Sequence, residues 1–309
     1  MHSLRYHTLV IRSNSNMKRS SILTIIIFLF TNCSEVIEYE LPYDGDKIVV
    51  NAILLANEPV QVSITKSAPP TGEINKDLSL KSATIDLFEN GVFIESLEHT
   101  NDGIYISKSE FRPVEGNEYY FVVNAKGFET VSSIPTIIPS SPSVSLLGVT
   151  YNPFSEESKG VQTSIVITDP IAEENYYFLT VYGLFNGDDS WYETYSYLLG
   201  VSYDFLPPCL DNIILGDLYK DACQNGGDFE FIFNTENKYS SPGNNRDEFD
   251  KLFVTVTNIS TEYYNYLLNY DRVTDIQLIF FEPEVLPSNI MGGYGIVGAG
   301  NQAVIEIVL

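Results

Sequence analysis

Three cysteines stand in two kinds of surroundings, and each kind has its own chemistry. Cys33 is alone behind an apolar run, where a thiol can be S-acylated. Cys209 and Cys223 lie 14 positions apart, with Pro207-Pro208 before the first and Gly226-Gly227 after the second. In an oxidising compartment this pair can close a loop worth roughly 3 kcal/mol. Two buried free thiols or a metal half-site would use the same residues, although no Cys-x-x-Cys or clustered His accompanies them to complete a zinc site. Two acidic loops, Asn186-Gly187-Asp188-Asp189 and Asn244-Asn245-Arg246-Asp247-Glu248-Phe249-Asp250, offer Asp188, Asp189, Asp247 and Asp250 as weak candidate oxygen ligands for calcium. Ordinary surface turns have the same composition. Carboxylate pairs of the kind that hydrolyse glycosides arise by chance in any acidic chain. From Trp191 to Phe205 the odd positions are Trp191, Glu193, Tyr195, Tyr197, Leu199, Val201, Tyr203 and Phe205, so an extended chain puts nearly all the aromatics on one face. Such a face more often covers its own core; Trp191, Tyr195 and Tyr197 are the candidate contacts if it meets a ligand instead.

The chemistry of Cys33 depends on what precedes it. Lys18-Arg19 open an apolar run from Ile22 to Phe30 that leads directly to Thr31-Asn32-Cys33. The run is the length of a signal-peptide core and about half of what a membrane-spanning helix needs. This is the form of a bacterial lipoprotein signal, in which the cysteine is diacylated and becomes the first mature residue, so that two acyl chains hold the protein on a membrane surface. Asn32 stands where a small residue is usual, and an ordinary signal peptide cut nearby, or a core segment, is the alternative. Arg5, Arg12 and many polar groups make residues 1–16 an unusual prelude to a signal, which points to Met17 as the true start. Residues 1–32 are therefore excluded from the fold, and residues 33–46, with Glu35, Glu38 and Glu40, form an acidic tether.

Without the leader the composition sharpens. Four of the 17 basic residues precede Cys33 and no acidic residue does, which leaves 13 basic against 41 acidic residues, a net charge of −28. Charge of this sign repels phosphate backbones and anionic lipid, so nucleic-acid binding is disfavoured. His99 is the single histidine after the leader. No phosphate loop, Gly-x-Ser-x-Gly elbow, His-Glu-x-x-His or complete calcium loop occurs, so neither a cofactor nor a catalytic role is expected.

The elements that must position these residues read as strands. Ile48–Leu55 is nearly continuous in apolar residues, Val60–Thr65 alternates, and Ala56-Asn57-Glu58-Pro59 turns between them. Ala83–Ile94 is two strands around Asn90-Gly91, a pair that tolerates the positive φ angles of a type I′ turn. Asn101-Asp102-Gly103 is a second turn, and Tyr119–Ala125 a further strand. Ile138-Pro139-Ser140-Ser141-Pro142-Ser143 is punctuation, placing a linker at 139–143 between a domain at 47–138 and a second at 144–309. Val161–Thr168, Asn175–Gly183, Phe229–Phe233, Leu252–Thr257, Val273–Phe281 and Gln302–Leu309 continue the strand pattern. One short helix is expected after Ser260 or Thr261 as its cap, with Tyr263 and Leu267, and Tyr264 and Leu268, as i,i+4 neighbours on a packing face. The fold class is thus mainly β: an N-terminal β-sandwich, immunoglobulin-like or, by resemblance to small sandwich domains, transthyretin-like, followed by a second β-rich domain with one short helix. The glycines between Met291 and Gly300 exceed what a loop needs and suit a close-packed return to the sheet.

The leader, the Lys47-Ile48-Val49-Val50-Asn51 strand, the Ser67-Ala68-Pro69 step, the Tyr264-Asn265-Tyr266-Leu267 helix and the ending from Pro287-Ser288-Asn289-Ile290 to Gly295-Ile296-Val297-Gly298 occur in one order. In that order they resemble the Bacteroidota outer-membrane lipoprotein family known as domain-of-unknown-function family four-two-four-nine. The resemblance implies a lipid-anchored outer-membrane protein encoded beside a TonB-dependent transporter. Acidic residues behind Cys33 resemble the signal that sends such proteins to the cell surface. A surface accessory subunit of that β-barrel, binding a ligand of unknown identity in nutrient capture, is the function implied. A surface hydrolase or an adhesive or structural module is the alternative. The resemblance carries over no catalytic residue.

Overall fold

The computed structural model describes residues 43, 45–69, 77–155, 158–171, 173–184, 192–193, 196–201, 210–213, 216–223, 226–236, 238–241, 244–274 and 286–309. Its contacts divide the chain into a segment ending at Tyr43 and a compact unit from Asp44 to Leu309, and the account below concerns the second.

Strands follow one another almost without interruption. β1 (Ile48–Leu55) and β2 (Gln61–Lys66) are joined by a turn in which Asn57 takes φ 62°. β3 (Thr84–Glu89) and β4 (Val92–Ser96) flank Asn90 and Gly91 at φ 49° and 79°, the left-handed pair that a two-residue type I′ turn requires. β5 (Glu98–His99) turns through Asp102 and Gly103 into β6 (Ile104–Ile106), and β7 (Glu118–Asn124), β8 (Val131–Ser133) and β9 (Thr136–Ile137) follow. The second half adds β10 (Ser143–Ser155), β11 (Ser158–Asp169), β12 (Tyr176–Leu184), β13 (Tyr192–Glu193), β14 (Ser196–Val201), β15 (Leu210–Ile213) and β16 (Gly216–Lys220). A 3-10 turn at Asp221–Cys223 leads to β17 (Gly227–Glu236), β18 (Lys238–Ser241), β19 (Asn244–Glu248) and β20 (Lys251–Ile259). The helix α1 (Thr261–Thr274), β21 (Ile290–Met291) and β22 (Tyr294–Val308) complete the chain. Among the described residues the fold is mainly β with one short α-helix, as the period-two pattern implied. Val273 and Thr274, expected at the start of a strand, are instead the last residues of α1; the rest of that expected strand lies outside the described residues.

The longest sheet has the order β15-β16-β12-β20-β22-β1-β2-β6-β5, with β13 added to β12. Its middle strand, β22, pairs in parallel with β1 through Tyr294–Gly300 and antiparallel with β20 through Gly300–Val308. One strand therefore serves two sandwiches. Alternate residues of β1, β2, β3 and β7, among them Val50, Leu54, Val62, Ile64, Ile85, Leu87, Phe121 and Val123, are buried in a first core. There the long sheet meets the six-stranded sheet built on β21-β8-β7-β3-β4. A second core, with Ile165, Phe231, Leu179, Val254 and Ile307, lies between β16, β12, β20 and β22 on one side and β10-β11-β17-β14 on the other. Val297 and Ala299 belong to the first core and Ile305 and Ile307 to the second, all at odd positions of β22, so both cores lie on the same face of the long sheet. The first core is composed almost entirely of residues before 139, joined by Ile290, Val297 and Ala299 from the C-terminal end. The sheet itself crosses the linker position at 139–143 through β22.

A polar seam separates the two cores. Asn258 and Asn301 face each other across β20 and β22, both buried. The Asn258 Nδ2 donates to the Ser140 carbonyl at 3.1 Å and to Asn175 Oδ1 at 2.8 Å; the Asn301 Nδ2 donates to the Pro139 carbonyl and to Glu115 Oε2, each at 3.1 Å. Proline-rich backbone that lacks strand partners is satisfied by these amides, as buried carbonyls must be. Further along the seam Asp169 accepts from Tyr177 Oη at 2.6 Å, Asn175 Nδ2 at 3.2 Å and the Gly226 N–H at 2.8 Å. Asp221 accepts the Asn175 N–H at 2.9 Å through Oδ2, while its buried Oδ1 has no partner. Burial pushes the Asp221 carboxyl above the usual carboxylate range, and the nearby Asp169 and Glu174 push the same way.

Two outcomes follow from this packing. Gly295 has φ 108°, and a Cβ there would stand 2.1 Å from the Val50 carbonyl oxygen. Gly295→Ala lowers stability by about 2–4 kcal/mol in urea unfolding, whereas Gly148→Ala, with open space around it, changes it by less than about 0.5 kcal/mol. For Asp221 the folded-state value lies above the unfolded 3.8, so its contribution to stability is complete below that pH and is lost as pH rises through the folded value. Asp221→Asn, neutral throughout, gains on the wild type between pH 4 and pH 7 in urea midpoint. An equal difference at both pH values would contradict the assignment.

Candidate functional site

The face of the long sheet opposite the two cores carries α1, and the placement of the helix begins with one serine. The Ser260 N–H donates to the Ala299 carbonyl at 2.9 Å, extending the β20–β22 ladder by one residue. Its Oγ then accepts the Ala299 N–H at 3.3 Å and the Tyr263 N–H at 3.4 Å. The same hydroxyl thus caps the helix and fixes its first turn to β22, with Glu262 placed favourably toward the positive end of the helix dipole.

Two stripes of α1 do different work. Tyr264 and Leu267 are buried against Tyr176, Leu218 and Ile259, with the Tyr176 and Tyr264 rings 4.6 Å apart. Tyr263, Tyr266, Leu267 and Tyr270, spaced at i, i+3, i+4 and i+7, instead overlook the outer face of β22, β1 and β2. Glycine makes the approach possible. A Cβ on Gly298 would lie 2.8 Å from the Tyr263 Cβ, and one on Gly300 2.9 Å from Thr257 Cγ2. The closely packed glycines expected near the C-terminus are thus residues of a strand over which the helix lies.

Between helix and sheet lies a groove of about 480 Å³. Its floor is formed by Ile296 of β22, Asn51 and Ile53 of β1, and Gln61 and Ser63 of β2; its wall is formed by Tyr263, Tyr266, Leu267 and Tyr270. Leu267 closes the apolar end, while Tyr270 is 37% exposed at the mouth. Tyr266 and Tyr270 stack with centroids 6.1 Å apart and planes 24° from parallel. The Asn51 Oδ1 accepts the Ile296 N–H at 3.3 Å. Burial pushes the Tyr263 hydroxyl up to about 12, with Tyr182 and Tyr266 adding to the shift, and raises Tyr266 as well. Both phenols are therefore protonated donors at neutral pH. Not one of the lining residues is a carboxylate, histidine, cysteine, lysine or arginine. The groove offers hydrogen bonds, ring faces and aliphatic surface, which is the equipment of a binding site.

The sequence-derived candidates lie elsewhere. Cys33, Cys209, Trp191, Tyr195, Asp188 and Asp189 are outside the described residues. Cys223 ends the 3-10 turn, Tyr197 is opposite Asn234 on β14 and β17, and Asp247 is on β19, in each case with the side chain outside the description. Asp250 is at the exposed end of β20, where its N–H bonds the Leu184 carbonyl and its carbonyl receives the Leu309 N–H. Among the described residues no group of three His, Cys, Asp or Glu side chains is placed to hold a metal ion, and no helix is long and apolar enough to cross a membrane. Of the groove residues, Tyr263 and Leu267 were expected as helix neighbours, Gln61 and Ser63 belong to the strand read as alternating, and Asn51 closes the Lys47-Ile48-Val49-Val50-Asn51 motif. No local signal brings the two sets together, since more than 190 positions separate them.

Among solved structures, bovine butyrophilin matches at 10% identity over 86% of this chain and 100% of its own, with a TM-score of 0.18. Extracellular domains 3–5 of Drosophila OTK match at 9% identity over 70% of this chain and 95% of their own, also at 0.18. Likeness at that level carries no conclusion about fold or function. No curated protein matches the chain. The family described as domain of unknown function DUF4249 matches residues 34–306, and the chain belongs to that family.

Proposed function

We propose that the protein is a ligand-binding lipoprotein of the bacterial outer membrane, anchored through Cys33, facing the cell surface and serving as an accessory subunit of a TonB-dependent β-barrel transporter in nutrient capture. The observation that carries the reading is the α1 groove: concave, walled by tyrosines, floored by amides and hydroxyls, and without an ionisable acid–base pair among its lining residues. A site built in this way holds a molecule without transforming it. The leader supports the location, because a cysteine directly behind a short apolar run is the acylation signal, and two acyl chains give lasting attachment. Exposure beyond the cytoplasm is consistent with a Cys209–Cys223 disulfide, which belongs to the same proposal.

Affinity isolation of the full-length lipidated protein from its native membrane, followed by mass spectrometry, tests the assignment. A stoichiometric β-barrel partner is expected, and Cys33→Ser should move the protein from the membrane to the soluble fraction. Recovery of the protein without a barrel, under mild extraction that keeps known barrel complexes intact, rules out the accessory role; membrane retention of the serine variant rules out the anchor.

A further inference from the structure

We infer that the ligand of the α1 groove is a neutral saccharide, an inference that rests on reading the groove as the ligand site. Three features of the groove select this class together.

The first is unused hydrogen-bonding capacity. The Gln61 carboxamide, the Ser63 hydroxyl and the Tyr263 and Tyr266 hydroxyls have no partner within the described protein, and the Asn51 amide uses only its oxygen. Gln61 and Ser63 are two residues apart on β2 and so share a face, and Asn51 of β1 is directly opposite Ser63. Ring hydroxyls of a sugar, each both donor and acceptor, match such a row. An apolar ligand would leave these groups without partners and would bury them at a cost.

The second is the aromatic wall. The Tyr266 and Tyr270 rings, near-parallel with centroids 6.1 Å apart, supply aromatic surface to the groove wall. The C–H face of a pyranose carries partial positive charge and lies flat on such a surface. Leu267, Ile53 and Ile296 cover the remaining apolar edge.

The third excludes the competing classes. A peptide that binds by strand addition needs a free sheet edge, and β1 is paired on both sides, to β2 and to β22, while β2 is paired to β1 and β6. The floor therefore offers side chains and no backbone ladder. An anionic ligand would need a cation, and no lysine or arginine lines the groove of a chain whose net charge is −24 overall. A cation would seek a carboxylate, which the lining also lacks. At about 480 Å³ the groove is within the range of roughly 300–1,000 Å³ usual for small-ligand sites.

The test is an array of neutral oligosaccharides, anionic glycans and peptides probed with full-length protein in a detergent without a sugar head group, followed by titration calorimetry of the hits. Binding to neutral saccharides is expected, with at least a ten-fold loss of affinity in Gln61→Ala and again in Tyr266→Ala. Unchanged circular dichroism and urea midpoint in both variants show that the fold is intact. Wild-type affinity in both variants, hits confined to charged glycans or peptides, or no glycan bound at all would overturn the inference. In those cases a barrel still co-isolated with the protein leaves the accessory reading standing. Conversely, saccharide binding without a barrel partner defeats that reading and leaves the ligand class intact.

Discussion

The hydrogen-bond ladders on both edges of β22 decide where everything else can go. Its first half is bonded in parallel to the strand that opens the fold, and its second half antiparallel to β20, so a single extended segment joins two packed sandwiches. A parallel pairing between the first and last strands needs the entire intervening chain as its connection, and its contacts are among the least local the molecule has. Side-chain alternation along β22 then assigns odd positions to the cores and even positions to the helix. The even positions of the first half include two glycines because Tyr263 and Thr257 stand where a Cβ would be. Farther along, where no helix covers the sheet, Val304 and Val308 take their place and are exposed.

The seam at Asn258 and Asn301 shows how one sheet carries two separate cores. Apolar burial alone would favour merging them into one. Two buried amides facing each other at the crossover interrupt the apolar surface, and their hydrogen bonds are spent on the carbonyls of Pro139 and Ser140. The connecting segment between the halves is therefore held by side chains at the place where it crosses the sheet, and it needs no strand partner of its own. Asp169, Asn175, Tyr177 and Asp221 extend this polar layer, which is satisfied throughout except at one carboxylate oxygen. Burial is the main reason Asp221 is held more readily in the neutral form, with the nearby Asp169 and Glu174 carboxyls adding to it.

Against a strongly acidic chain, an uncharged groove is informative. Chance alone would put carboxylates on most surfaces, yet the floor and wall between α1 and the sheet carry amides, hydroxyls and rings. Net negative charge of this size repels anions, whereas the groove lining carries only hydrogen-bonding and apolar groups. Ser260 links this site to the fold, because the residue that caps the helix also continues the pairing of β22.

Much of this could be read from local chemistry. Asn90-Gly91 specified its hairpin because few other pairs accept two left-handed residues, and the Ser260-Thr261 pair marked the helix start because either hydroxyl can satisfy an orphan N–H. The alternation over Val60–Thr65 marked a strand with one face on a core, β1 read as almost continuously apolar, and the family was legible from short motifs in a constant order. The row from Trp191 to Phe205 drew attention to itself by composition, whereas Asn51 and Gln61 looked like ordinary outward-facing residues. What the chain determined by itself is thus class, turns and helix, because each depends on residues within a few positions of one another. Only the tertiary structure decided that the glycine-rich ending and the closing strand are one element, that it lies beside β1, and that tyrosines from residues 263–270 meet amides from residues 51–61. Those outcomes are set by pairing and packing across more than 190 residues, and a one-residue change of register on β22 would reverse every face without altering any local preference.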